Sequence, residues 1–238
     1  MYDYEESNYD KGFNRLSTAQ GLLSGVMSRV YAWMTAALLI TTGVALFTVS
    51  SPAVLNLIYG NSAAIWVLFI VEIGMVIWLS AGINKMSETT ARIVFLVYAA
   101  LNGLVLSGIF FAYELGTIYM AFGASALTFA AMSFVGFVTH RDLSGFGGIL
   151  LMALIGLIIA SVVNMFWANS TLDTIVTYVG VFIFVGLTAY DTQKIKQMVS
   201  YADASVVGKV AILGALSLYL DFINLFLYIL RLFGRSRD

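Results

Sequence analysis

Apolar residues in this chain run in long unbroken blocks rather than alternating with polar ones. Six blocks stand out, at about 29–50, 62–83, 93–113, 117–138, 147–167 and 173–190, and a seventh covers about 210–230. The hydrocarbon core of a bilayer is about 30 Å thick, which about 20 apolar residues cross as an α-helix. Each block therefore predicts a membrane-spanning helix. The connections are short, so one bundle is expected rather than two domains. The single proline, Pro52, falls just beyond the first block, where it interrupts nothing. Glycines recur inside the blocks (Gly43, Gly74, Gly103, Gly108, Gly123, Gly136, Gly156, Gly186, Gly214) and are expected where membrane helices approach closely.

Composition agrees with the pattern. The 238 residues are 61% hydrophobic and only 11% charged, outside the range of soluble domains. The fold class expected is all-α and polytopic. An acidic and polar tail occupies residues 1–28, the bundle residues 29–233, and a short basic tail residues 234–238. A net charge of −1 argues against nucleic acid as a partner. With no cysteine, thiolate metal sites and disulfides are excluded. The opening residues lack the basic and apolar regions of a cleavable signal peptide, so the first helix is expected to target the chain itself.

Basic residues alternate between the two sides. Lys11, Arg15 and Arg29 precede the first block, and Lys85 and Arg92 follow the second. His140 and Arg141 follow the fourth, and Lys194, Lys196 and Lys209 the sixth. The intervening loops carry Asn56, Asn61, Glu114 and Asp173. This bias places the N-terminus in the cytoplasm. Arg231, Arg235 and Arg237 would then end outside, against the bias, yet the seventh block has no turn signal and reads as a full crossing.

Three carboxylates lie within the blocks, where a charge costs from about 2.5 to over 10 kcal/mol. Asp221 sits near the middle of the seventh. Steps of three and four along that helix join Gly214, Ser217, Asp221, Asn224, Tyr228 and Arg231 into one small-and-polar stripe, which faces protein or a watery cavity. A hydrogen-bond network tying helices together is the structural alternative to a functional site. Asp191 ends the sixth block. An interfacial aspartate is ordinary, but "TQKIKQMV" can continue the helix and draw Asp191 below the surface, towards Asp221 on the next, antiparallel helix. Glu72, central in the second block, is either a hydrogen-bonded neutral acid or part of an ion path. Two carboxylates close together in a low dielectric do not both ionise readily and titrate in coupled steps. Such a pair is a proton-sensitive latch between two helices, and its ionised oxygens suit a hard cation such as Ca²⁺. No His or Cys cluster exists for zinc or copper.

"GLTAYDTQKIK", "SLYLDFINLFLYILRLFG" and "THRDLSGFG" together resemble the bacterial branch of the Bax inhibitor-1 family, from about Arg29 to Phe233. The resemblance implies seven helices with the last surrounded by the other six, no enzyme activity, and a pH-sensitive Ca²⁺ leak. It makes Asp191 and Asp221 the pH sensor, and Glu72 with Asp221 the ion path. Some relatives carry an arginine further along the second helix; here Ile83 stands there, leaving Lys85 as the candidate cationic partner. No cofactor is implied, with Ca²⁺ transported or transiently bound. Two other functions compete. One is a regulator of a membrane protease or another membrane complex, tethered by the N-terminal tail. The other is an intramembrane aspartyl protease using Tyr190–Asp191 and Asp221, which lacks the glycine-flanked second aspartate and the proline loop that such enzymes need.

Overall fold

A computed structural model of the chain describes residues 2–203 and 206–234, with side chains from residue 21 onward. Residues 235–238, with Arg235 and Arg237, and the side chains of most of the acidic tail lie outside that description. The elements are α1 (Tyr2–Ser50), α2 (Pro52–Tyr59), α3 (Ser62–Gly82), α4 (Glu88–Leu106), α5 (Ile109–Ala112), α6 (Leu115–Val138), α7 (Ser144–Trp167), α8 (Ser170–Tyr201) and α9 (Val207–Gly234). A 3₁₀ turn, Ile83–Lys85, extends α3. Among the described residues seven helices are long and apolar enough to cross a membrane, and they coincide with the seven blocks.

Helix starts follow local chemistry. Asn61 accepts from Ala63 N, Ser87 from Thr90 N and Asn169 from Leu172 N, each filling a donor orphaned by the first turn. Pro52 takes the first turn of α2, where its missing N–H costs nothing. The largest boundary difference is at α8, which continues past Asp191 to Tyr201. Its 32 residues make a rod about 48 Å long, well over the thickness of the hydrocarbon core.

Helix α9 forms the axis of the bundle and packs against α1, α4, α6 and α8. The two remaining long helices are peripheral: α3 packs mainly on α4, and α7 on α8. Only Glu72 and Leu79 of α3 are buried, and only Leu157 of α7. The last helix is thus enclosed by four helices, with the 3₁₀ extension of α3 touching its first turn, rather than by all six. From Val207 to Gly234 none of its residues is exposed. Its Leu, Ile and Phe faces are covered as fully as its polar stripe, which is the pattern of a helix apolar all round and buried in a core.

Among the described residues, the cation at its far end is paired. Arg231, in the last turn of α9, pairs with Asp173, in the first turn of α8, at 3.2 Å. Each charge also opposes the dipole end of its own helix. Of the three arginines that argue against a crossing, Arg231 is thus paired with an acid, and Arg235 and Arg237 lie outside the described residues.

The intramembrane glycines divide into two groups. A methyl group at Gly103 would meet the backbone oxygen of Thr41 at 2.5 Å, and one at Gly136 would collide with the backbone of Ala189. Gly43, Gly74, Gly123 and Gly156 have open space around them, so close helix approach does not account for those four.

Candidate functional site

Two polar clusters flank α9. Tyr219 and Asp221 are two residues apart, hence about 200° apart around the helix, and point to opposite sides.

On the Asp221 side the partner is α8. Asp221 is 4% exposed, and its Oδ2 has no hydrogen-bond partner. Asp191 and Lys194 both lie within electrostatic reach of it, and Lys194 also acts on Asp191. The continuation of α8 beyond Asp191 produces this arrangement, since it keeps Asp191 inside the bundle and sets Lys194 one turn away. The structure therefore brings the two aspartates together as the sequence suggests. The cation beside them is Lys194 rather than Lys85, which is exposed at the end of the 3₁₀ turn. Ile83 is buried in the apolar core.

Around the pair, α8 is fastened by hydroxyls and one amide. Thr192 donates to Thr188 O at 2.7 Å and meets Ser133 of α6 at 3.0 Å, and Ser133 meets Tyr31 of α1 at 2.5 Å. Gln193 Nε2 donates to Arg141 O at 2.9 Å, while its Oε1 accepts from Leu143 N at 2.8 Å. The loop of the "THRDLSGFG" stretch is thereby clamped to α8 two residues beyond Asp191. In that loop the hydrogen bond from Ser144 holds the exposed Asp142 carboxyl below its ordinary range. Lys196 Nζ donates to Phe137 O at 3.0 Å and lies over the Phe137 ring, capping the last turn of α6. Gln193→Leu removes both clamp bonds and leaves a carbonyl and an N–H without partners. We expect it to lower stability by about 1–3 kcal/mol, at about 0.5–1.5 kcal/mol per bond in this partly exposed loop, and to speed amide exchange at Leu143, measured by hydrogen–deuterium exchange.

Of the remaining stripe residues, Ser217 is half-buried. Asn224 spends its amide on Leu220 O of its own helix, at 2.8 Å. Tyr228 stacks on Phe184 of α8, with ring centroids 5.8 Å apart, over Gly180. Of these three, Tyr228 is the one that seats α9 on α8.

On the Tyr219 side lies a cluster that the ionisable residues alone did not reveal. Glu72, 7% exposed, is hydrogen-bonded to the Asn102 side chain of α4, while its Oε1 has no partner. The Tyr219 hydroxyl donates to Asn102 Oδ1 at 3.2 Å and lies 2.7 Å from Thr41 Oγ1 of α1. Thr41 in turn donates to Ala99 O at 2.8 Å. Phe95 and Tyr98 set their edges against the fully buried Tyr219 ring. Glu72 acts on Tyr98 and Tyr219, so it is not drawn together with Asp221, and α9 stands between them. Asn102, Thr41 and Tyr219 are polar residues at mid-span positions, and that was the available signal.

The chain matches the family described as "Inhibitor of apoptosis-promoting Bax1" over residues 23–238. It belongs to the Bax inhibitor-1 family. It is 49% identical over 218 residues to the "Inner membrane protein YbhL" of Escherichia coli, covering 90% of this chain and 93% of that protein. A Rickettsia prowazekii protein is 41% identical over the full length of both chains, and one from Borreliella burgdorferi is 41% identical over 89% of this chain. The family assignment made on the two aspartate motifs is thus confirmed, and so is the all-α, seven-helix architecture.

Among the described residues no three His, Cys, Asp or Glu side chains come together to hold a metal ion. Two carboxyls fall well short of the six to eight oxygens of a resident Ca²⁺ site.

Proposed function

We propose that this family member is a proton-sensitive cation leak of the bacterial inner membrane, with Ca²⁺ as its ion and its N-terminus in the cytoplasm. The observation that carries the reading is Asp221. A carboxyl at the centre of a fully enclosed helix, with one oxygen unpartnered and a second carboxyl within reach, serves packing poorly.

In this reading the α8–α9 contact is the gate. When the two aspartates share a proton, their mutual repulsion is relieved, Lys194 balances the remaining charge, and α8 stays against α9. When the proton leaves, two like charges oppose each other in a low dielectric and the contact loosens. The freed oxygens then face a cation. The name of the Escherichia coli relative and the alternating basic loops support the location.

The test is Ca²⁺ flux into liposomes holding the purified chain, measured across pH. Wild type is expected to show a pH-dependent flux. Asp221→Asn and Asp191→Asn are each expected to flatten that dependence while leaving the fold intact. Flux equal to that of empty vesicles at every pH would sink the proposal.

A further inference from the structure

The hydrogen-bond chain on the Tyr219 side has more acceptors than protons. Thr41 and Tyr219 each carry one hydroxyl proton. Three contacts call for them: Thr41 to Ala99 O at 2.8 Å, Thr41 to Tyr219 at 2.7 Å, and Tyr219 to Asn102 Oδ1 at 3.2 Å. At most two of the three are made at once, and the state of Glu72 decides between the two arrangements that fill the Thr41–Tyr219 contact. If Glu72 is a carboxylate, the Asn102 amide N–H must donate to it. Asn102 Oδ1 then faces Tyr219 and takes its proton, and Thr41 donates to the Tyr219 oxygen. If Glu72 carries a proton, it donates to Asn102 Oδ1 with the amide turned over. The Asn102 N–H then donates to the Tyr219 oxygen, Tyr219 to Thr41, and Thr41 to Ala99 O. Each arrangement satisfies its own set of donors, and the heavy atoms already lie where both need them.

We propose that Glu72, Asn102, Tyr219 and Thr41 form a second proton-binding site, in which one proton taken up at Glu72 reverses the direction of every hydrogen bond from α3 through α4 and α9 to α1. Only that proton is gained; the hydrogens of Tyr219 and Thr41 stay on their oxygens and rotate. The placement supports this in three ways. Glu72 Oε1 is buried and unpartnered, which leaves room on the acid for a proton. The titratable groups that Glu72 acts on are Tyr98 and Tyr219, its own polar partner is Asn102, and among the described residues no Lys, Arg or His acts on it. The Thr41 end abuts an apolar cavity of 310 Å³ bounded by α1, α4, α5, α6 and α9, so the chain ends there and does not run on as a proton wire. The site reads pH on the face of α9 opposite the aspartates, and it does so whether or not a cation crosses.

The test is pH-difference infrared spectroscopy on the full chain in lipid nanodiscs, with ring-labelled tyrosine, between mildly acidic and mildly alkaline buffer. A protonated-carboxyl band and a shifted tyrosine band are expected to rise together. Tyr219→Phe should remove the tyrosine band. Glu72→Gln, which keeps the shape and a hydrogen-bonding amide, should remove the component of the carboxyl signal that Asp221→Asn retains and leave the tyrosine band unresponsive to pH. Asp221→Asn should leave both in place, with circular dichroism confirming helix content in each variant. A tyrosine shift that survives Glu72→Gln, a carboxyl band that never changes, or loss of both bands in Asp221→Asn would each overturn the proposal.

Discussion

Gly136→Leu is expected to leave almost no folded protein in the membrane, and Gly136→Ala to be destabilised well beyond an ordinary surface change. At Gly136 the backbones of α6 and α8 touch. A Cβ there would collide with the carbonyl of Ala189 and lie 2.9 Å from its C and Cα atoms. Those are backbone atoms, so no rotamer relieves the clash and the helices must separate. Separation pulls Ser133 from Thr192, one turn from Gly136 on one helix and next to Asp191 on the other. Overpacking alone costs about 1–3 kcal/mol, occasionally more. The lost hydrogen bonds add about 1 kcal/mol each, against a total stability of about 5–15 kcal/mol. Gly123, on the same helix with open space around it, is the control. Alanine there should be neutral or stabilising by up to about 1 kcal/mol. Thermal unfolding followed by size-exclusion chromatography separates the two, and equal stability of Gly136→Ala and Gly123→Ala would refute the contact.

That contrast marks where the sequence stops being legible. Gly136 and Gly123 sit in the same apolar block with similar neighbours, and only the position of α8 makes one indispensable. The seven spans were legible because the bilayer sets the length of an apolar run. Their ends were less so: the sixth apolar block stops at 190, but "TQKIKQMV" is polar sequence that can continue a helix, and α8 does run on through it to Tyr201. The pairing of Asp191 with Asp221 followed from antiparallel neighbours and was foreseen. The cation beside the pair was not. Lys85 stands two residues past Ile83 at the exposed end of the 3₁₀ turn, but Lys194 is one helical turn from Asp191, and that local geometry decides.

The enclosure of α9 was reached by a partly misleading route. Its polar stripe suggested one face turned inward, whereas every face is covered, including those of Leu, Ile and Phe. A stripe tells which side meets polar partners and says nothing about whether the other sides meet lipid or protein. The Glu72 cluster was invisible for a related reason. Asn102, Thr41 and Tyr219 are each inexpensive in a membrane helix, and their meaning lies in three helices meeting, which no single block contains.

Asp221→Val is expected to make the protein more stable while removing the pH dependence of flux. The argument turns on the two roles open to a buried carboxyl. A structural tie joins its helix to a neighbour by hydrogen bonds, and cutting it lowers stability. Asp221 has an oxygen with no partner, and a second acid and Lys194 are near it. Its surroundings on α9 are apolar, with Leu218, Phe222 and Leu225 all buried. An unsatisfied buried polar group costs about 1–3 kcal/mol, and exchanging buried charged groups for apolar ones of similar size is often stabilising by about 1–4 kcal/mol. Valine is close to aspartate in size, so little repacking is needed. For a chain of this length each kcal/mol moves the melting temperature by about 2–4 °C. A rise of about 2–10 °C in detergent or nanodiscs is therefore expected. A fall of that size would make Asp221 a structural tie after all, and would return the proton-sensing role to Glu72 alone.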